Sequence, residues 1–166
     1  MSATGPKLVI AGATLSTELS YGSYQASNCI DGNNGTMCHS DNTGSGGQYL
    51  RLDLGDNSGF PIRTVRIYNR LQDCCTERLA NHQIWVGDNA DDWSSNALCS
   101  ETDVDDGPQT LVTHTIADDQ SPLCSGRFVF VVLPGDARTL NLMEVEVYGF
   151  PGTHIHPSSL VCFVYV

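Results

Sequence analysis

The chain has 166 residues, with 8 Lys and Arg against 19 Asp and Glu, a formal net charge of −11. That length suits one domain with a real core, and 40% apolar content excludes wholesale disorder. The acidic balance argues against nucleic acid and anionic lipid as partners, because each needs a basic face. Apolar runs of only a few residues exclude a bilayer-spanning helix. The opening MSATGPK has no apolar signal core, so a secretion signal has been removed or was never there.

Sixteen glycines and seven prolines punctuate the chain, and short alternating or β-branched runs lie between them. The first informative stretch is Asn28-Cys29-Ile30-Asp31-Gly32-Asn33-Asn34-Gly35-Thr36. Carboxylate, amide and carbonyl oxygens alternate there with glycines, a composition that suits a hard cation. The same residues also read as an Asn/Gly turn capped by Asp31. Asn34-Gly35-Thr36 is a glycosylation sequon that would suit a secreted chain.

Strands are predicted over Tyr49–Leu54 and Thr64–Asn69, each with alternate residues apolar. Between the second of these and the next strand comes Arg70-Leu71-Gln72-Asp73-Cys74-Cys75-Thr76-Glu77-Arg78. Adjacent cysteines close an eight-membered ring only by straining the peptide between them. Closed, the pair is a rigid apolar patch flanked by two guanidinium groups. That suits a sugar, which offers an apolar C–H face and hydroxyl edges that accept from Arg forks. The alternatives are separate partners for Cys74 and Cys75, or a redox dithiol. The missing two-residue spacer counts against the dithiol.

Further strands are predicted over His82–Gly87, Thr110–Ile116, Arg127–Leu133 and Glu144–Gly149. Asp88–Asp106 is acidic and reads as a solvated surface loop pinned at Cys99. His82 and His114 fall in strand-like runs and read as structural; His154 and His156 are scattered. No window keeps a helical period over ten residues, so the fold class is an antiparallel sandwich or barrel. Residues 1–6 form an N-terminal extension, 7–150 the domain, and 151–166 a tail suited to an extra strand or an oligomer contact. Seven cysteines without zinc-like spacing point to an oxidising compartment.

Five elements, in order, resemble the F-type lectins, or fucolectins: NCIDGNNGT, His39, YLRLDLG, NR…DCCTER and LMEVEVYG. The match runs from about Lys7 to Gly149. DCCxER is specific to that family, and the other elements are shared with discoidin-like domains of the coagulation-factor C type. The resemblance implies an eight-stranded antiparallel jelly-roll sandwich that binds terminal L-fucose. It implies a sugar site of His39, Arg70 and Arg78, with the Cys74–Cys75 ring against the apolar sugar face. Asp73 and Glu77 would orient the arginines, and Tyr21, Tyr24 or Tyr49 would rim the methyl group. It also implies a structural Ca2+ held by the Asn28, Asn33 and Met143 carbonyls, the Thr36 oxygen, and the Asp31 and Glu144 carboxylates.

Three features depart from the family pattern. Two residues, Leu71 and Gln72, separate Arg70 from Asp73 where the family has one. The Ser40–Gln48 loop is glycine-rich and lacks the usual Trp before Arg51. One alignment sets Met37 and Met143 at the two ends of a family disulfide, implying packed methionines in its place. Another alignment gives that cysteine role to Cys38. The implied pairs are Cys74–Cys75, Cys99–Cys124 and Cys29–Cys38, with Cys162 free or intermolecular.

GxSxG, HExxH and P-loop motifs are all missing from the sequence, so the expectation is a binder and not an enzyme. Expected partners are fucosylated glycans, glycoproteins or microbial polysaccharides, met outside the cell in innate recognition or agglutination. One sugar contact is weak, so a homo-oligomer is expected. The other reading is a discoidin-like adhesion or gamete-recognition module with altered specificity.

Overall fold

The computed structural model describes residues 5–20, 22–41, 46–55, 59, 61–70, 74–102, 109–117 and 124–150. Asp73, Tyr21, Leu71, Gln72 and the 151–166 tail lie outside these residues. Nine strands form two sheets, and all pairings are antiparallel. They are β1 (Gly12–Leu15), β2 (Cys38–His39), β3 (Gln48–Asp53), β4 (Ile62–Asn69), β5 (Gln83–Gly87), β6 (Ala97–Glu101), β7 (Leu111–Thr115), β8 (Phe128–Leu133) and β9 (Asn141–Gly149). One sheet runs β1-β3-β8-β5-β6 and the other β2-β9-β4-β7. The helical elements among the described residues are 3-10 turns.

This is the expected jelly-roll sandwich, with nine strands where eight were expected. The added elements include the two-residue β2, too short to leave a sequence pattern. Alternation chooses the faces. Leu50 and Leu52, Ile84 and Val86, and Val129 and Val131 point into the space between the sheets and are fully buried. Val65, Ile67, Val145 and Val147 meet them from the other sheet. The chain ends of the domain close on each other: Leu8 N–H donates to Val147 O and Gly149 N–H to Pro6 O.

The acidic stretch from Asp88 is not simply a solvated loop. Its Ala97–Glu101 part is β6, paired with β5, and Cys99 is bonded to Cys124. Its first part folds over the outer face of the larger sheet. There Phe128, Phe130 and Val132 alternate with the core residues of β8 yet are themselves buried. Tyr49, Trp85, Ala90 and Trp93 pack on them, and Trp93 meets Trp85 edge-on at 5.0 Å. Asp92 caps the turn that carries Trp93 by accepting from Ser94 N–H at 2.9 Å. The carboxylates of Asp91 and Asp92 stay exposed, so charge sits on one side of the segment and aromatic surface on the other.

His82 and His114 are structural, as expected, and they face each other. Their Nε2 atoms lie 2.6 Å apart, and both residues are buried. Leu79 O accepts from His82 Nδ1, so His82 Nε2 carries the lone pair. His114 Nε2–H then donates to it, and His114 Nδ1 accepts from Ser100 Oγ at 2.8 Å. Ser100 lies on β6 and His114 on β7, so this chain of neutral groups ties the edges of the two sheets together. A polar cleft of about 360 Å³ runs beside it, lined by Glu101, Thr102, Gln109, Thr113 and Thr115 among others.

Burial pushes the His114 imidazole down to about 4, and the neighbouring His82 adds to this. A base that is harder to protonate when folded stabilises the fold fully above its unfolded value, about 6.5. That contribution is lost as pH falls from there toward about 4. The melting temperature should therefore drop by several degrees between neutral pH and pH 4.5, and His114→Gln should flatten the drop. A wild-type melting curve that does not move with pH would contradict a neutral buried pair.

Candidate functional site

His39, Arg70, Arg78 and the adjacent cysteines come together at one end of the sandwich. His39 ends β2, and its place is set by β9, since His39 pairs with Asn141 and Cys38 with Leu142. The Cys29–Cys38 disulfide holds the same point from the other side. Ser40 fixes the next step: its N–H donates to Leu140 O, and its Oγ accepts from Leu140 N–H.

The hydrogen bonds assign the imidazole tautomer. His39 Nδ1 lies 2.6 Å from Ser40 O, which only accepts, so Nδ1 carries the proton. Neutral His39 therefore presents the Nε2 lone pair, and Arg78 Nη1 lies 3.4 Å from it. Burial holds this imidazole below its ordinary value. The Ser40 carbonyl opposes that, and the Arg78 and Arg70 charges reinforce it. Tyr24 packs beside the ring, with centroids 5.8 Å apart.

Arg70 follows the last residue of β4. Its Nε is buried without a hydrogen-bond partner among the described residues. A buried guanidinium N–H left open in this way is a donor awaiting an acceptor. Arg78 lies in a 3-10 turn, Thr76–Leu79, that begins directly after the Cys74–Cys75 disulfide. Cys75 is in the left-handed region at φ 76°, a conformation costly for a residue with a Cβ. The ring and the turn thus form one unit that presents Arg78 to His39.

The sequence reading missed Asn69, which holds that unit in place. Asn69 is buried at the end of β4. Its Nδ2 donates to Thr76 O at 2.8 Å and to Gln109 O at 3.0 Å, and its Oδ1 accepts from Arg70 N–H at 2.8 Å. An Asn at the end of a predicted strand gives no such signal, because its partners are backbone groups on two other segments.

Other expected residues fall differently. Glu77 is exposed and makes no ion pair with either arginine among the described residues. Asp73, the other orienting carboxylate, lies outside them. Tyr24 stands beside His39, whereas Tyr49 packs edge-on against Phe130 at 5.6 Å in the outer-face cluster. The odd residues of β3 point away from the core, and this carries Tyr49 to that face. Tyr21 lies outside the described residues.

The oxygen-rich segment forms a tight cluster. Thr36 Oγ1 lies 2.7 Å from Asp31 Oδ2, 2.8 Å from Asn33 O and 3.5 Å from Asn28 O. Glu144 reaches the same loop, its Oε2 accepting from Gly32 N–H at 3.2 Å. A bulge in β9 aims it there: Tyr68 pairs with Glu144 but Asn69 with Leu142, leaving Met143 as the extra residue. Burial raises the Glu144 carboxyl above its ordinary range, and the nearby Asp31 charge adds to this. Two carboxylates that repel each other, ringed by neutral oxygens, fit a hard cation such as calcium. Among the described residues no group of three or more His, Cys, Asp or Glu gathers. Met37 and Met143 are both buried, and extending the β2–β9 register one step brings them opposite each other.

The NedA-like, galactose-binding domain model of the F5/F8 type C group matches residues 28–121. A fucolectin of Anguilla anguilla is 36% identical over 128 residues, covering 74% of this chain and 75% of the relative. Fucolectin-6 of Anguilla japonica is 34% identical over 132 residues, covering 74% of this chain and 62% of the relative. The fucolectin from striped bass (Morone saxatilis) serum superimposes with a TM-score of 0.70 at 28% identity. That match covers 84% of this chain and 47% of the bass lectin. The chain belongs to the fucolectin family, on a discoidin-like fold. These relatives are lectins, in agreement with the expectation of a binder and not an enzyme.

The geometry predicts what opening the ring does. Cys74 and Cys75 enclose no length of chain, so replacing both by Ser removes little loop entropy. The melting temperature should stay within about 3 °C of wild type. Cys75 would leave its left-handed conformation, and the Arg78 and Ala80 amides, which donate to Cys75 O and Glu77 O, should exchange faster with solvent. Unchanged exchange at these two amides would contradict the ring's role.

Proposed function

We propose that this protein is a calcium-stabilised lectin that takes terminal L-fucose on glycoproteins or microbial polysaccharides. The observation that carries the reading is the 3.4 Å approach of Arg78 Nη1 to His39 Nε2 beside the Cys74–Cys75 ring. Without sugar, the Nε2 lone pair accepts from Arg78 Nη1–H; a sugar hydroxyl replaces that contact and bridges the two groups. Its oxygen accepts from Arg78, and its O–H donates to His39 Nε2. A ring oxygen has no proton to give, so neutral His39 selects a hydroxyl. Arg70, with its open Nε–H, donates to a neighbouring hydroxyl oxygen. The ring's sulfurs and methylenes cover the apolar C–H face, and Tyr24 supplies apolar surface next to His39.

Calcium would be held by the Asp31 and Glu144 carboxylates with the Asn28, Asn33, Thr36 and Met143 oxygens. Its charge would neutralise the two carboxylates and join the 28–36 loop to β9, the strand against which His39 is set. It would act by preorganising the site and would touch no sugar. The serum origin of the bass relative supports an extracellular role, and innate recognition or agglutination is the setting proposed for it. Agglutination needs more than one site per particle, and Cys162, outside the described residues, is the cysteine left over for joining two chains.

Calorimetric titration with L-fucose, against D-galactose, tests the reading. Saturable heat is expected with fucose and is expected to weaken with EDTA. Affinity should also fall as pH drops through the lowered His39 value, because protonation turns the Nε2 acceptor into a donor and adds charge beside two arginines. Heat with galactose alone would move the chain to the ligand of its matching family model. Silence with both sugars from folded, calcium-loaded protein would favour an adhesion module of other specificity.

A further inference from the structure

A four-residue 3-10 turn leaves most of its carbonyls without partners of its own. In the turn that carries Arg78, groups from outside take them one after another. Asn69 takes Thr76 O, and His82 takes Leu79 O. Glu77 O accepts from the Ala80 N–H that closes the turn. The last carbonyl of the four belongs to Arg138, whose Nη2 donates to Arg78 O at 3.2 Å and to Ala80 O, just past the turn, at 2.5 Å. Its Nη1 reaches Pro134 O at 3.4 Å in its own loop. Arg138 makes no ion pair among the described residues, so its charge is spent on carbonyl oxygens at the end of the turn.

The position of Arg138 in the chain gives this contact its meaning. It lies between β8 and β9, two residues before Leu140, which holds Ser40, and three before Asn141, which pairs with His39. One short segment thus grips both halves of the sugar site: the turn bearing Arg78 through a side chain, and the strand bearing His39 through the backbone. The residue before it, Ala137, is left-handed at φ 55°, a strained conformation kept where surrounding contacts fix the chain.

We propose that Arg138 is a positioning residue that sets the separation of Arg78 from His39, and with it the affinity for sugar. This rests on the lectin reading for its affinity consequence alone; the geometric consequence stands without any ligand. The test measures the His39 imidazole by NMR titration without sugar, and fucose affinity separately, in wild type, Arg138→Gln and Arg138→Lys. Lys keeps the charge but has no planar fork to span two carbonyls, so it separates loss of position from loss of charge.

The expected result is that both variants raise the His39 value, because Arg78 drifts away and its charge no longer adds to the lowering that burial causes. Fucose affinity should fall about tenfold or more in Arg138→Gln, as for loss of a charged hydrogen bond. If Arg138→Gln does not fold, Arg138→Lys carries the test alone. A folded variant with a lower melting temperature but the wild-type His39 value would overturn the proposal, leaving Arg138 as structural support. If wild type binds no fucose, the lectin reading fails, while the His39 titration still decides the role of Arg138.

Discussion

The site depends on the capture of backbone carbonyls around one short turn. Thr76–Leu79 is too brief to hold itself, yet it carries the side chain that faces His39. Asn69, His82 and Arg138 reach it from β4, from the residue before β5, and from the β8–β9 loop. A net hydrogen bond contributes on the order of 1 kcal/mol, and one to a charged donor about twice that. The larger consequence is geometric, because a guanidinium and an imidazole share a ligand hydroxyl only if their spacing holds to a fraction of an ångström.

The two sheets serve that spacing. The smaller sheet brings β2 against β9, which places His39, and β4 delivers Asn69 and Arg70 at the same end. The larger sheet contributes β5, which starts directly after His82, and β8, whose far end launches the loop that carries Arg138. Ser100 and His114 link the edge of one sheet to the edge of the other, and His82 carries that chain on through Leu79 O to the turn itself. Core packing and site geometry are thus joined through the same few polar contacts.

Much of this was legible in the sequence, for particular reasons. Alternation found β3, β4, β5, β7 and β9, because each has one face in the core; β8, buried on both faces, shows as a continuous β-branched and aromatic run. Alternation did not find β1, four residues long, β6, where exposed Leu98 is as apolar as inward Cys99, or β2, which is two residues long. The residues proposed to meet the sugar, His39, Arg70 and Arg78, could be named from the family resemblance. Those that hold them, Asn69 and Arg138, could not, because their partners are carbonyl groups, which every residue has. The acidic segment misled for a related reason: its charges describe its solvent side, while Trp93 and Ala90 decide where it packs. Alternation also told that Tyr49 opposes Leu50 but not that the outer face has its own aromatic cluster to receive it.

One ligand hydroxyl is proposed to replace the contact between His39 and Arg78 and bridge them, with Arg70 and the cysteine ring around it. NMR chemical shifts recorded during addition of L-fucose test it most directly. The account predicts shifts in the His39 ring, in the Arg70 and Arg78 side-chain N–H groups, and in the amides of Thr76 to Leu79, with the Trp85 and Trp93 indoles unmoved. Shifts in those indoles with an unchanged His39 would place the sugar on the outer face of the larger sheet and contradict the account.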